Sequence, residues 1–350
     1  MEADPSSDFD PNKVNLTSPD FDLRQVICYI NGEGNEYDGH LAARISSIFV
    51  IFAVSTVVTF FPVVAKRMPK LRIPTTAYQF ARFFGAGVII ATAFVHLLDP
   101  AYDEIGPASC VGLTGGWTEY SFVPAIVLAA IFTIFIVDLS TERYVELKYG
   151  ISVDAKVEDL ITSGRTALVK DAPNSHKRKA PHDMERISFH QQLAAFLILE
   201  FGIIFHSVII GLNLGVVGEE FNTLYPVLVF HQSFEGLGIG ARLSGIEFPR
   251  RYKWIPYLLC LAYGLTTPIS IAIGLGVRTT YNPGSFTANV VSGVLDSISA
   301  GILIYTGMVE FFARDFLFDP KSTRDGKSLV FKVVCLALGI GIMALLGKWA

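Results

Sequence analysis

Charge is scarce in this chain. Asp, Glu, Lys and Arg make up 17% of its 350 residues, half the sequence is hydrophobic, and the mean hydropathy is +0.46. That is too apolar for a soluble two-domain protein and points instead to a polytopic membrane protein. The first 25 residues contain no apolar core, so no cleavable signal peptide is expected and the first long apolar run must itself direct insertion. No HExxH motif occurs, which removes the commonest helical signature of a zinc hydrolase. Histidine-rich repeats are missing as well, and the net charge of −4 says little because the charges are segregated by loop.

Apolar runs are abundant. Windows of about 20 residues, enough to cross the hydrocarbon, fall at 45–65, 77–98, 122–141, 192–215, 223–243, 255–277, 289–312 and 328–347. The expected fold is therefore all-α and polytopic, with eight transmembrane helices in one bundle. It divides into an extracellular tail (1–44), helices one to three (45–141), a largely disordered cytosolic loop (142–191) and helices four to eight (192–350). Basic residues set the orientation. Lys66, Arg67, Lys70 and Arg72 fill the first connection, Lys177, Arg178 and Lys179 stand in the third, Arg250 and Arg251 in the fifth, and Lys321 and Arg324 in the seventh. The even connections are acidic or neutral, with Asp99, Asp103, Glu104, Glu119, Glu219 and Glu220. Both termini are thus expected to be extracellular.

The sequon at Asn15 falls in the amino-terminal tail, a candidate glycosylation site on the same side. Cys28 and Cys110 are both placed outside, where a disulfide can persist, and they form a candidate bridge. Cys260 and Cys335 lie within helices and read as small packing residues.

Two apolar runs carry the chemistry, FLILEFGIIFHSVIIGLNLG from Phe196 and LYPVLVFHQSFEGLGIGARL from Leu224. Imidazole and carboxylate groups are costly at the centre of a bilayer, so His206, His231 and Glu235 are functional candidates. His206 lies nine residues from Gly215 and His231 eight from Thr223, which sets both about 12–14 Å below the outer surface. His231 and Glu235, four apart, share a helix face. Two imidazoles and a carboxylate suit zinc better than magnesium or calcium, and Ser207 and Gln232 stand beside the histidines as further donors. The blander reading is a buried His–Glu hydrogen bond that locks two helices. Gly202, Gly211 and Gly215, with Gly236, Gly238 and Gly240, offer small surfaces where the helices could pack closely or slide.

HSVIIGLNLG followed by HQSFEGLGIGARL resembles the fourth- and fifth-helix signature of the ZIP family of divalent-metal transporters. ATAFVHLLDPAY, YGLTTPISIAIGLGVR and SGVLDSISAGILIYTGMVE extend the resemblance to the fungal plasma-membrane zinc-uptake branch. The resemblance implies a multi-pass plasma-membrane importer of Zn²⁺, which is its substrate and not a cofactor, and no enzymatic activity. It makes His206, His231 and Glu235 the transport ligands, with Ser207 and Gln232 in the positions of further ones. Ile210 and Thr267 replace acidic residues of binuclear relatives, so a single-metal site is expected.

His96, Asp99, Asn213 and Asp296 mark a candidate metal pathway from outside, fed by Asp103 and Glu104. Asp138, Glu142 and Glu310 stand where an exit would be. Pro268, after Thr266 and Thr267, should kink the sixth helix and free a carbonyl. Expected partners are the divalent ion and the lipid bilayer, with a homodimer and ubiquitin machinery at the cytosolic loop as further candidates, and no nucleic acid. Two other readings are an intramembrane metal-dependent hydrolase and an importer whose main substrate is Fe²⁺ or Mn²⁺.

Overall fold

The computed structural model describes residues 22–32, 37–68, 73–149, 181–317 and 326–349. Asn15 and the central part of the loop expected at 142–191, with its lysines and His176, lie outside the described residues. The described residues are helical throughout apart from short connections. A short amphipathic helix, α1 (Leu23–Gly32), precedes α2 (Leu41–Arg67), α3 (Thr75–Ile105), α4 (Phe122–Tyr149), α5 (Pro181–Val216), α6 (Phe221–Gly245), α7 (Ile255–Val277), α8 (Phe286–Thr306, continued by a π-helical stretch Gly307–Leu317) and α9 (Gly326–Leu346). The tail thus holds a helix that its composition did not announce. α4 and α5 also run beyond the expected loop boundaries, because Arg143, Leu147 and their neighbours are good helix formers where the apolar run has ended.

Seven of these helices are long and apolar enough to cross a membrane. The remaining long helix, α6, has 25 residues, about 37 Å of helix, but its run is diluted by His231, Gln232, Glu235 and Arg242. It is less apolar because it lies inside: α2 and α3 pack along it, and its buried residues include all of His231, Gln232, Glu235, Gly236, Gly238 and Gly240. α2 also packs on α7, α5 on α7 and α8, α3 on α9 and α8, and α4 on α8. Apolar side chains such as Phe49, Val57 and Phe61 of α2, Leu128 and Phe132 of α4 and Val334 and Leu338 of α9 point outward, as faces against lipid do.

The glycines of α5 and α6 serve different neighbours. Gly211 and Gly215 abut Ser270 and Gly274 of α7, whereas Gly238 meets Gly85 of α3. A Cβ added at Gly85 would sit 2.1 Å from the Gly238 Cα, so these two backbones touch. The close packing expected at these glycines is present, and its partners are α7 and α8 for the glycines of α5 and α2, α3 and α7 for those of α6.

The two ends of the bundle differ. At one, the disulfide Cys28–Cys110 ties α1 to the turn after α3. Arg44, with no exposed surface, donates to the carbonyls of Leu214 at 3.1 Å and Gly39 at 3.0 Å and pairs with Asp38 at 2.8 Å. It thereby satisfies a terminal carbonyl of α5. At the other end Lys66 donates to the Ser244 carbonyl in the last turn of α6 at 2.7 Å, and Arg67 to that of Lys253 at 2.8 Å.

Candidate metal centre

α5 and α6 bring His206, His231 and Glu235 together in the middle of the bundle, 1%, 2% and 0% exposed. The Nε2 atoms of the two histidines are 3.3 Å apart, and His231 Nε2 lies 3.6 Å from Glu235 Oε1. One ligand atom from each residue fits within 4.8 Å of the others. Donors held at about 2.0–2.1 Å by one tetrahedral zinc are themselves about 3.3–3.4 Å apart. Two of the observed spacings, His206–His231 and His231–Glu235, therefore match a common ion, and the third, within 4.8 Å, closes when His206 and Glu235 converge on it. A single imidazole hydrogen can bridge the two ring nitrogens, but Glu235 Oε1 and His206 Nδ1 have no hydrogen-bond partner. A purely structural lock would leave no such buried polar atom idle.

The surroundings hold Glu235 in place. The Tyr263 hydroxyl of α7 lies 3.5 Å from Glu235 Oε2, 3.0 Å from Gln232 Oε1 and 3.1 Å from the Gln232 carbonyl. Gln232 donates its amide to the Thr267 hydroxyl. Gln232 is thus engaged by α7; Ser207 is fully buried with its hydroxyl unpartnered. Pro268 has no N–H to offer the Gly264 carbonyl one turn back, and the Ser55 hydroxyl of α2, which donates chiefly to the Ile51 carbonyl at 2.6 Å, lies 3.4 Å from it. The carbonyl freed by the proline meets a hydroxyl.

His96 sits deeper than the sequence suggested. The apolar run of α3 stops at Leu98, but the helix continues through DPAYDEI to Ile105, with Pro100 in the first turn of the added segment. A π-helical stretch, Thr92–Leu98, turns His96 inward; such stretches recur at functional sites. The His96 ring packs edge-on against His231 with centroids 4.8 Å apart, and its Nε2 lies 3.1 Å from the Met343 carbonyl of α9. Asp99, its expected companion, is exposed and stays apart from the buried group.

Toward the disulfide end, a cavity of about 720 Å³ is lined by Glu104, Asn213, Tyr281 and Asn282. Asp296 is 3% exposed with Oδ1 unpartnered, as is Glu104 Oε2, and the two feel each other's charge. Burial, and then the nearby Glu104, raise the Tyr281 phenol above its ordinary value, so it remains a neutral wall of the cavity. Toward the basic end, Arg242 and Glu310 pair at 3.1 Å beside a cavity of about 240 Å³ that also touches Arg82 and Gln192. Asp138 accepts from the Tyr305 hydroxyl at 2.9 Å, which ties α4 to α8.

Sequence reasoning passed over Tyr263 and Glu200. A tyrosine in an apolar helix carries no signal of its own. Glu200 did carry one, as an acid inside the run from Phe196, but six residues from His206 it falls off the histidine's face.

The ZIP zinc transporter family matches residues 41–347, from the start of α2 to the end of α9. Across 98% of its length the chain is 53% identical to Zinc-regulated transporter 1 of Saccharomyces cerevisiae, of which it covers 97%. It is 38% identical to Zinc-regulated transporter 1 of Schizosaccharomyces pombe, over 91% of this chain and 88% of that one. Identity to Zinc transporter 9 of Oryza sativa subsp. japonica is 31%, over 92% and 93% respectively. With a buried His–His–Glu group inside a helical membrane bundle and matches of this extent, the hydrolase reading falls: the chain belongs to the ZIP zinc transporter family and is a transmembrane zinc transporter.

Proposed function

We propose that the chain imports Zn²⁺ into the cytosol across the plasma membrane, through eight spans with both termini outside. The basic residues at one end and the disulfide at the other support this orientation, and the resemblance to the fungal uptake branch supports the membrane. A homodimer, and ubiquitin-dependent removal through the lysines of the cytosolic loop, are further parts of this reading, and neither enters the transport step.

The hydrated ion collects in the outer cavity, lined by Glu104 and by Asn213, which supplies an oxygen, with Asp103 and Asp296 close enough to Glu104 to add their charge. It then reaches His206, His231 and Glu235, which replace its water, with Ser207 adjacent. His96 steadies His231, and Tyr263 steadies Glu235. Release follows toward the cavity beside Arg242 and Glu310. The observation that carries this reading is the spacing of 3.3 and 3.6 Å among three buried donors.

Zinc entry into liposomes containing the purified protein tests it. His206→Ala should abolish saturable entry while leaving the protein folded; saturable entry at the wild-type rate would remove His206 from the path.

A further inference from the structure

Glu200 of α5 has no role in the steps above. It is 4% exposed, and neither of its carboxylate oxygens has a hydrogen-bond partner. An unpartnered buried carboxyl is strongly unfavourable, and an apolar side chain would fill the place without that cost. Its position is informative. Six residues before His206, it stands about 9 Å along α5 toward the basic end.

Glu235, one turn beyond His231 in the same direction, lies within electrostatic reach of Glu200. So do Tyr263 and Cys260 of α7. Cys260 is a fully buried free thiol one turn further toward the basic end than Tyr263, its sulfur 3.8 Å from the Thr59 carbonyl. The sequence of donors along the bundle is therefore the two imidazoles, then Glu235, then Glu200, with the thiol within its electrostatic reach.

We infer that Glu200 forms a second, transient station for the divalent ion, one step nearer the cytosol than His206, His231 and Glu235. The inference rests on the reading of those three as the transport site. Two acids in mutual reach repel when both are ionised and empty, and a cation passing between them relieves that repulsion. Glu200 offers one carboxylate where the site above offers three donors, so it holds the ion weakly enough to let it leave. Its task is to lower the barrier for departure from Glu235.

The test is initial uptake of labelled zinc by Glu200→Gln and Glu200→Met at measured and equalised surface abundance, with His231→Ala alongside. Gln removes the charge and keeps the shape; Met suits an apolar core should Gln fail to reach the surface. Per molecule, the maximal rate should fall by about tenfold or more with half-saturating zinc unchanged, because loading is intact and departure is slowed. A wild-type maximal rate in either variant would overturn the inference and make Glu200 a packing carboxyl. A raised half-saturation at full maximal rate would also overturn it, since Glu200 would then belong to loading. Full uptake by His231→Ala would instead overturn the reading of the site above, whatever the Glu200 variants do.

Discussion

His96 of α3 packs edge-on against His231 of α6, with ring centroids 4.8 Å apart, while its Nε2 is held at 3.1 Å by the Met343 carbonyl of α9. Three helices thereby fix the orientation of one metal-facing imidazole. Loss of a group that orients a ligand costs about 10–100-fold in affinity. His96→Ala should therefore raise half-saturating zinc by about tenfold, and His96→Gln, which can keep the bond to Met343, should raise it less. Zinc dependence of initial uptake checks both; an unchanged half-saturation in His96→Ala would show that His231 is held by other contacts.

Gly85 and Gly238 set the spacing of α3 and α6. A Cβ on either meets the other's backbone, at 2.1 Å from Gly85 and 2.8 Å from Gly238. Backbone cannot rotate aside as a side chain can, so Gly85→Ala should destabilise the bundle by about 1–3 kcal/mol. The measurement is the melting temperature of purified protein in detergent, with Gly276→Ala, which meets nothing within 4 Å, as the comparison. A melting temperature as high in Gly85→Ala as in Gly276→Ala would contradict the close contact.

Cys28 and Cys110 close a loop with a sequence separation of 82 residues. A crosslink over such a length restricts the unfolded chain by about 4.5 kcal/mol in the chain-entropy view, and typical values are about 2–4 kcal/mol. Cys28→Ser should lower the melting temperature and abolish its sensitivity to reductant, while transport at low temperature persists because the bond is far from His231. Equal melting of the reduced and oxidised wild type would show that the bond contributes nothing.

Protons compete with zinc for imidazole lone pairs. Protonation removes the donor electrons and adds a repelling positive charge, so uptake should decline as the external pH falls. Initial rates at saturating and limiting zinc separate competition from inactivation. Competition raises half-saturating zinc on acidification, and a fall in maximal rate alone would point elsewhere.

Much of this architecture was legible in the sequence, because apolar runs of membrane length and polar residues inside them are strong signals. The pairing of His231 with Glu235 follows from helical spacing, and the match in depth to His206 from counting residues. What could not be read depends on contacts between helices. His96 was placed near the outer end of its span because hydropathy ends at Leu98, although the helix continues through polar residues to Ile105. α6 looked like an ordinary span, and only packing shows why it is the least apolar long helix: its polar face is turned to α2, α3 and α7, away from lipid. The glycines announced close contacts without naming their partners. Glu200 lies within electrostatic reach of Cys260 and Tyr263, which no spacing along α5 reveals.

The most direct test of the midplane site is uptake of labelled zinc by cells expressing the wild type, His231→Ala and Glu235→Ala at equal surface abundance, with ferrous iron and manganese as competitors. Saturable uptake in the wild type that is lost in both variants, and is inhibited by iron or manganese only at large excess, is the predicted result. Wild-type uptake in both variants would contradict it, leaving His231 and Glu235 as a packing pair and the path elsewhere in the bundle.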